Sequence, residues 1–343
     1  MCICIPVSIC TIPKWIHSFD KLENPITMKI GYPCINNSIP RNTPSTFRLA
    51  SYSENKLIQT VKNNLVYLDK LLRYNVKNDL LFFRISSDLV PFASHPVCKF
   101  PWYMFFQTEL EQVGDYIKKH NIRISMHPDQ FIVLNSPNEK IVQNSIDELI
   151  YHCKILDTMR LDETAKVQIH VGGVYGNKLN AINRFIKTYN YSLQLLDSSI
   201  KRRLVIENDD HLYNIEDCLC IYQQTGLPIV FDSFHHECYG DSREVLIRDP
   251  LKRAILTWKK NKDGLPMVDY SSQDITIPSN DGHPIVRKGR HTATLDPISF
   301  KKFLKQTEGL DFDMMLEIKD KEKSALKAFE LVRKNNGIFD SAG

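Results

Sequence analysis

The chain has 343 residues, of which 43% are hydrophobic and 24% charged, and these values argue against a globally disordered protein. The formal net charge of +4 is weakly basic, which permits a nucleic-acid partner without requiring one. Nine cysteines include no CxxC pair, which disfavours a thiolate zinc site and indicates free thiols in a reducing compartment.

The first 27 residues match no element of the pattern that follows them. Their apolar stretch at positions 3–12 is too short to span a bilayer, and no basic residue precedes it as in a secretory signal. We expect residues 1–27 to be a loosely packed N-terminal extension, with a targeting or docking arm as the alternative. The chain is predicted to be soluble and intracellular, with no membrane partner.

From Met28 onward, eight short stretches each run apolar and finish on a polar group. Segments of helical period separate them. Eight strand and helix units predict a single-domain (β/α)8 barrel, or TIM barrel, over residues 28–335, with long loops at the carboxyl ends of the strands and a C-terminal tail at 336–343. The predicted strands are 29–33, 81–87, 123–128, 166–171, 203–208, 227–231, 266–271 and 313–319.

Several helices of this pattern have recognisable starts. Asn214 is a predicted N-cap, and the Asp-Pro pairs at 249–250 and 296–297 each predict an N-cap followed by the first helical position. Apolar residues at three- and four-residue spacing between positions 57 and 72 indicate one buried helix face. Further helices are predicted at 105–120, 139–159, 180–200 and 321–334.

Histidines and carboxylates recur at or just beyond the ends of the predicted strands. A single histidine there is more often a hydrogen-bonded structural residue than a ligand, but buried carboxylates at a barrel mouth are costly unless paired or bound to metal. Five imidazoles and four carboxylates without a thiolate suit Mn²⁺ or Zn²⁺ and suffice for two or three ions. The candidate ligands are His95, His127, His170, Glu207, Asp232, His235, Asp269, His291 and Glu317.

A cluster of divalent ions can lower the pKa of bound water, orient a phosphate and neutralise a leaving oxygen. Phosphodiester hydrolysis is therefore the first prediction, and a sugar isomerase or epimerase on a metal-bearing barrel is its chemical rival. The glycine-rich GGVYG lacks the P-loop lysine and the GxGxxG spacing, so no nucleotide cofactor is expected. No GxSxG supports an esterase.

The ordered motifs GYPCINN, RISSDLVPFASHP, RISMHPDQFIVLNSP, IHVGG, IENDD, FDSFHHE, DYSSQ and LEIKDKE resemble the ultraviolet damage endonucleases, relatives of the endonuclease IV-like and xylose isomerase-like barrels. The resemblance runs from about Met28 to about Lys323. It implies a DNA repair endonuclease that nicks damaged duplex DNA on the 5′ side of a pyrimidine photoproduct, using a divalent cluster, usually manganese. We expect a monomer. A catalytically silent damage-binding protein is the second alternative.

The resemblance also implies roles for the candidate ligands. Glu207 and Glu317 would bridge metals, with His235 beside them in the catalytic set. One site would be completed by Asp232 with Asp269 and another by His127 with His170. A further ion or the scissile phosphate would be bound by His95, His235 and His291.

For DNA, the resemblance implies that Gln130 and Phe131 are inserted into the duplex at the lesion, and that Tyr32 and Asn36 line the pocket for the flipped dinucleotide. The basic tract of Arg287, Lys288 and Arg290 is expected to hold backbone phosphates, with a solvated loop as the alternative. Three positions depart from the pattern of the family, which commonly has tyrosine at position 131, histidine at 269 and lysine at 267, where this chain has Phe131, Asp269 and Met267.

Overall fold

The computed structural model describes residues 28–40, 45–128, 131–192, 198–240, 246–274 and 289–335. The predicted N-terminal extension and C-terminal tail lie outside these ranges. The predicted DNA contacts Gln130, Arg287 and Lys288 lie outside them as well. In the described ranges, no helix combines the length and the apolar character needed to cross a membrane.

Eight parallel strands pair in chain order and close into a barrel, because the first strand pairs with both the second and the last. The predicted TIM barrel is confirmed, and each predicted stretch overlaps one strand. The strands are β1 (Ile30–Pro33), β2 (Phe82–Ile85), β3 (Arg123–Met126), β4 (Lys166–His170), β5 (Leu204–Glu207), β6 (Ile229–Asp232), β7 (Met267–Tyr270) and β8 (Asp313–Leu316).

Helices follow the strands and cover the outside of the barrel, where Leu, Ile and Phe side chains of both layers form the main apolar core. The helices of the described residues are α1 (Glu54–Lys77), α2 (Trp102–Phe105), α3 (Gln107–Lys119), α4 (Glu139–Thr158), α5 (Lys178–Lys187), α6 (Ser198–Arg203), α7 (Ile215–Thr225), α8 (Ser233–Tyr239), α9 (Arg248–Ile255), α10 (Lys260–Asp263), α11 (Pro297–Gln306) and α12 (Glu322–Asn335).

Two of the three predicted helix starts are confirmed. Asn214 and Asp217 form a reciprocal capping box at α7, and Asp296 accepts hydrogen bonds from two backbone N–H groups of α11, with Pro297 in its first turn. The predicted start at Asp249 is wrong, because α9 already begins at Arg248. The helix predicted at 180–200 is also not continuous, since α5 gives way to a π-helical turn at Thr188–Ser192.

Candidate metal centre

The interior of the barrel has an apolar layer and, two residues further toward the carboxyl ends of the strands, a polar layer. Side chains two residues apart on a strand point to the same face. In five of the strands an apolar residue of the interior is followed, two positions later, by a polar residue on the same face. An apolar floor of Phe82, Val205, Val230, Met267 and Met315 fills the lower barrel with Trp258. The residues two positions further along are Arg84, Glu207, Asp232, Asp269 and Glu317.

This layering also places Met267, where the resemblance leads us to expect lysine. Its side chain is fully buried in the apolar floor. It contributes to packing beneath the polar layer, and Asp269, two residues on, supplies the polar group of the same strand.

Glu207 lies at the centre of the polar layer. Its Oε2 is 3.2 Å from Nε2 of His127 and 3.9 Å from Nε2 of His170, and its Oε1 is 3.1 Å from Nδ1 of His235. Two groups of three therefore share this carboxylate, His127–His170–Glu207 and Glu207–Asp232–His235, each with ligand atoms within 4.8 Å of one another. The structure thus brings together five of the nine predicted ligands, the buried Glu207 and four residues around it.

The polar layer has more acceptors than donors. Asp232 Oδ2 and Asp269 Oδ1 are buried and accept no hydrogen bond from the described residues, and His170 Nδ1 is buried without a hydrogen-bond partner there. His127 Nδ1 lies 2.7 Å from the Pro128 carbonyl, to which it donates, so Nε2 faces Glu207. Carboxylate oxygens and imidazole nitrogens this close together share either a proton or a metal cation, and this set of nitrogen and oxygen atoms fits a divalent transition metal.

The pKa values of the residues in the polar layer reflect the crowding of buried carboxylates. Burial raises the pKa of Asp232 well above its ordinary value, although His235 opposes the shift. Burial would lower the pKa of His235, but Asp232 and Glu207 outweigh it and raise that pKa to about 12. Burial raises the pKa of Glu207 less than His170, His127 and His235 lower it, so this carboxylate stays ionised.

Arg84 and Gln168 connect the carboxylates from below, and the sequence analysis did not single out either residue. Arg84 donates to Glu317 and, at 2.8 Å, to Asp269 Oδ2, while Gln168 donates to Glu207 and, at 2.6 Å, to the same Asp269 oxygen. The available signal was a polar residue inside an otherwise apolar strand, in FFRI and KVQIH.

The two remaining predicted histidines differ in position. His291 Nε2 is 4.0 Å from Glu317 Oε2, its Nδ1 is 2.8 Å from the Glu317 carbonyl, and its ring lies 6.0 Å from that of His235. His291 thus borders the polar layer. His95 is exposed, and its Nδ1 accepts a hydrogen bond from the Val97 backbone within its own loop. The structure does not bring His95 into the cluster around Glu207.

A cavity of about 930 Å³ opens above the polar layer. His127, His170, His291 and Glu317 line its floor, and Phe131 stands at its wall with 76% of its surface exposed. Its basic residues are Arg84, Arg290, Lys319 and Lys321. The two lysines were not predicted as site residues, although they lie in the quoted motif LEIKDKE. A polyanion fits this combination of basic wall and nitrogen and oxygen floor.

Tyr32 and Asn36, predicted to line a lesion pocket, do not line this cavity. Both are buried: the Tyr32 hydroxyl donates to Asn75 on α1 at 2.6 Å, and the Asn36 amide donates to the Tyr32 hydroxyl at 2.8 Å. The side-chain oxygen of Asn36 accepts from the backbone of Ser38. In this structure the pair stabilises the loop after β1, and the expected contact of these side chains with DNA stays a prediction.

Comparisons with known proteins agree with the resemblance in the motifs. Residues 28–341 match the family described as UV-endonuclease UvdE. A protein of Clostridium perfringens named UV DNA damage endonuclease is 37% identical over 92% of this chain and 73% of its own length, and a Bacillus cereus protein of the same name is 32% identical over 83% and 86%.

Solved structures give a consistent result. The crystal structure titled SacUVDE has a TM-score of 0.81 and 39% identity, covering 90% of this chain and 99% of that one. A D-psicose 3-epimerase from Clostridium cellulolyticum has a TM-score of 0.51 at 12% identity over 90% of this chain and 99% of its own, a similarity that shows a shared fold alone.

Proposed function

The chain belongs to the UV-endonuclease UvdE family, and from this premise we propose that it is a metal-dependent DNA repair endonuclease that nicks duplex DNA on the 5′ side of ultraviolet photoproducts. The observation that carries the proposal is the cluster around Glu207, where buried carboxylate and imidazole groups converge at the floor of a basic cavity. We further propose that the activity resides in residues 28–335 and that the protein acts as an intracellular monomer.

The residues of the two groups around Glu207 would hold the ions. His127, His170 and Glu207 offer one set of ligands, and Glu207, Asp232 and His235 offer the other. Mn²⁺ is our first candidate and Zn²⁺ the second, because both accept mixed imidazole and carboxylate ligands. When bound, such ions lower the pKa of water and neutralise the charge that develops on the scissile phosphate and the leaving oxygen.

Residues of the chain would position the backbone for hydrolysis of the bond to the 3′ oxygen. Arg290 and Lys319 are held in place by Asp274, whose Oδ2 is 3.2 Å from Arg290 Nε and 2.9 Å from Lys319 Nζ. These cations face the same cavity as Glu317 and His291. Phosphate contacts at the wall would thereby place a phosphorus above the polar floor, where Glu207, Glu317 and His235 form the proposed catalytic set.

Selection of damaged sites would rest on the deformability of DNA. A photoproduct weakens stacking and pairing, which lowers the few kcal/mol needed to extrude its bases. Phe131 stands exposed at the cavity wall, where its ring can fill the gap that an extruded dinucleotide leaves. An aromatic ring in this position would act as a wedge without reading the base sequence.

Two alternatives make different predictions. A sugar isomerase or epimerase, favoured only by the shared fold, would convert a free sugar and ignore DNA. A silent damage-binding protein would bind the lesion through Phe131 without cutting. The buried acceptors around Glu207 favour an active enzyme over the silent protein, since a protein without metal would gain nothing from these costly groups.

The proposal is tested by strand cleavage. An end-labelled duplex with one defined cyclobutane dimer is incubated with Mn²⁺, Mg²⁺, Zn²⁺ or a chelator, beside the same duplex without damage. We expect one nick immediately 5′ to the dimer, with Mn²⁺ and not with the chelator. Binding without a nick under every ion would favour the silent protein, and neither binding nor cleavage would direct the test to sugars.

A further inference from the structure

The exposed ring of Phe131 stands on the loop that follows β3, and the residues directly after it are firmly packed. Leu134 is fully buried in the main apolar core, and the Val133 backbone N–H donates to Ser145 Oγ on α4 at 3.0 Å. The Asn135 side chain, four residues from the ring, is fully buried as well. The position of the ring therefore depends on the contacts that hold this part of the loop.

The Asn135 side chain joins this loop to the loop after β4. Its amide nitrogen donates to the Gly173 carbonyl at 2.8 Å and to the Tyr213 hydroxyl at 3.1 Å. The same hydroxyl donates to the Gly173 carbonyl at 2.9 Å. Two acceptors face one end of the amide, so the nitrogen occupies that end. The three groups thus form a closed set of hydrogen bonds between two neighbouring loops.

The loop after β4 has the shape to receive this side chain. Gly172 has a φ of +113°, which favours glycine, and a Cβ at this position would lie 2.5 Å from Asn135 Oδ1. That oxygen is buried and accepts no hydrogen bond from the described residues. An apolar side chain would fill the space without an unpaired acceptor, so the asparagine is explained by the bonds of its nitrogen.

A second contact connects the backbone of Asn135 to the same region. Its carbonyl accepts from Arg184 Nε on α5 at 2.8 Å. The Arg184 guanidinium lies 5.3 Å from the centre of the Tyr175 ring, which belongs to the loop after β4. Both the side chain and the backbone of Asn135 are therefore fixed to the structure that follows β4.

We infer that Asn135 positions Phe131 for insertion at a damaged site, by tying the loop after β3 to the loop after β4. The inference rests on the role proposed above for Phe131. Asn135 is a positioning residue, because it is fully buried and acts through the exposed ring. A ring that is held in place before DNA arrives loses less conformational entropy on binding, which strengthens binding at the lesion. Undamaged duplex offers no gap for the ring and gains little from this order.

A double-mutant cycle tests the inference through the preference of the full chain for damaged over undamaged duplex. Fluorescence anisotropy measures both affinities, in chelator and in Mn²⁺. Phe131→Ala should lower the preference roughly 5- to 150-fold, the equivalent of one stacked base. Asn135→Asp keeps the size of the side chain but turns an oxygen toward two acceptors, and should lower the preference roughly 3- to 10-fold. The double variant should have the same preference as Phe131→Ala, because no ring remains to be positioned.

Tyr213→Phe is a second, milder variant. It removes only the hydroxyl that bridges the two loops and leaves the bond from Asn135 to Gly173 in place. We expect a smaller loss of preference that also disappears when Phe131 is already alanine. Circular dichroism establishes that each variant is folded. If Asn135→Asp does not fold, the same cycle with Tyr213→Phe decides the question.

Thr257 provides the matched control at the amino ends of the strands. Its buried hydroxyl accepts from the Ile229 backbone at 2.9 Å and donates to the Ala254 carbonyl at 2.6 Å. Thr257→Val should lower the melting temperature and leave the preference for damaged duplex unchanged. An equal loss of preference in this variant would attribute the effect to general destabilisation and overturn the inference.

Each other outcome also has one meaning. Additive losses from folded Asn135→Asp and Phe131→Ala would overturn the inference, because independent sites add. An equal loss of affinity for damaged and undamaged duplex in Asn135→Asp would overturn it as well. No loss from Phe131→Ala would contradict the proposed wedge, and this inference with it. The expected coupling without a dimer-specific nick would support the positioning role while contradicting the proposed reaction.

Discussion

Two buried aspartates at opposite ends of the barrel, Asp263 and Asp232, differ in whether both of their oxygens have partners. At the amino ends of the strands, Asp263 accepts from Lys166 Nζ at 2.6 Å through Oδ1 and from the Lys259 backbone at 2.9 Å through Oδ2. At the carboxyl ends, Asp232 accepts from the His235 backbone through Oδ1, while Oδ2 accepts no hydrogen bond from the described residues.

The difference separates stability from function within one fold. A buried charge that is fully paired contributes to folding, because its removal leaves the partner as a buried charge without a counter-charge. A buried acceptor without a donor costs free energy in the absence of a ligand, so its retention indicates that a ligand supplies the missing charge. The following predictions test this contrast, beginning with the largest effect.

Glu207→Gln should strongly reduce dimer-specific nicking, because both ligand groups share this carboxylate. Residues that only hydrogen-bond a metal ligand typically cost roughly 10- to 100-fold when they are replaced, and we expect a larger loss here. Its melting temperature in chelator should fall, because Glu207 also accepts from Gln168 and pairs with His127 and His235. Nicking rates and thermal unfolding with and without Mn²⁺ measure both effects. A variant that nicks at nearly the wild-type rate would contradict the proposed site.

Asp263→Asn should lower the free energy of unfolding by about 3–5 kcal/mol, because it leaves the fully buried Lys166 without its ionic partner. Urea denaturation measures the change, and the nicking rate per folded molecule should be unchanged. Asp232→Asn is the matched control at the other end, where we expect little loss of stability in chelator and a loss of metal binding. Equal destabilisation by both changes would end the distinction between the two regions.

Phe131→Ala should weaken binding to the damaged duplex by about 1–3 kcal/mol, the usual contribution of a ring stacked on a base. Because the side chain is largely exposed, folding stability should not change. Fluorescence anisotropy with damaged and undamaged duplexes measures the loss, and Phe131→Tyr should retain binding. An unchanged affinity in Phe131→Ala would remove this residue from the proposed interface.

His152 lies on α4, away from both ends of the barrel. It tests by pH whether a buried polar group without a partner costs stability. Its Nδ1 donates to the Glu148 carbonyl, Nε2 is buried without a hydrogen-bond partner among the described residues, and burial lowers its pKa from 6.5 to about 4. The unfolded chain therefore binds more protons between these values, so stability falls as pH drops below 6.5.

His152→Gln should remove about 1 kcal/mol of the stability loss that the wild type shows between pH 7 and 5.5. Urea denaturation of both proteins at the two pH values measures the difference, and the remaining titratable groups serve as an internal control because both proteins contain them. Parallel pH profiles would show that His152 does not titrate as its burial requires.

The sequence alone determined the barrel and the chemistry of its rim. Alternation along a strand and helical spacing between strands are local properties, so eight units and their polar ends could be predicted from neighbouring residues. The ligand types at β5, β6 and β7 followed from the same pattern, as did the motifs of the family. Helix boundaries were less certain, as Asp249 illustrates, because alternative starts differ by small energies.

Only the tertiary structure decided which of these groups have partners. Arg84 meets Asp269 across 185 positions of the chain, and Tyr32 meets Asn75 across 43. Such pairings depend on barrel closure and side-chain packing, which no local pattern encodes. The sequence therefore named the acceptors of the polar layer, while the fold determined that Glu207 is shared by two ligand groups and that an arginine already neutralises Asp269 and Glu317.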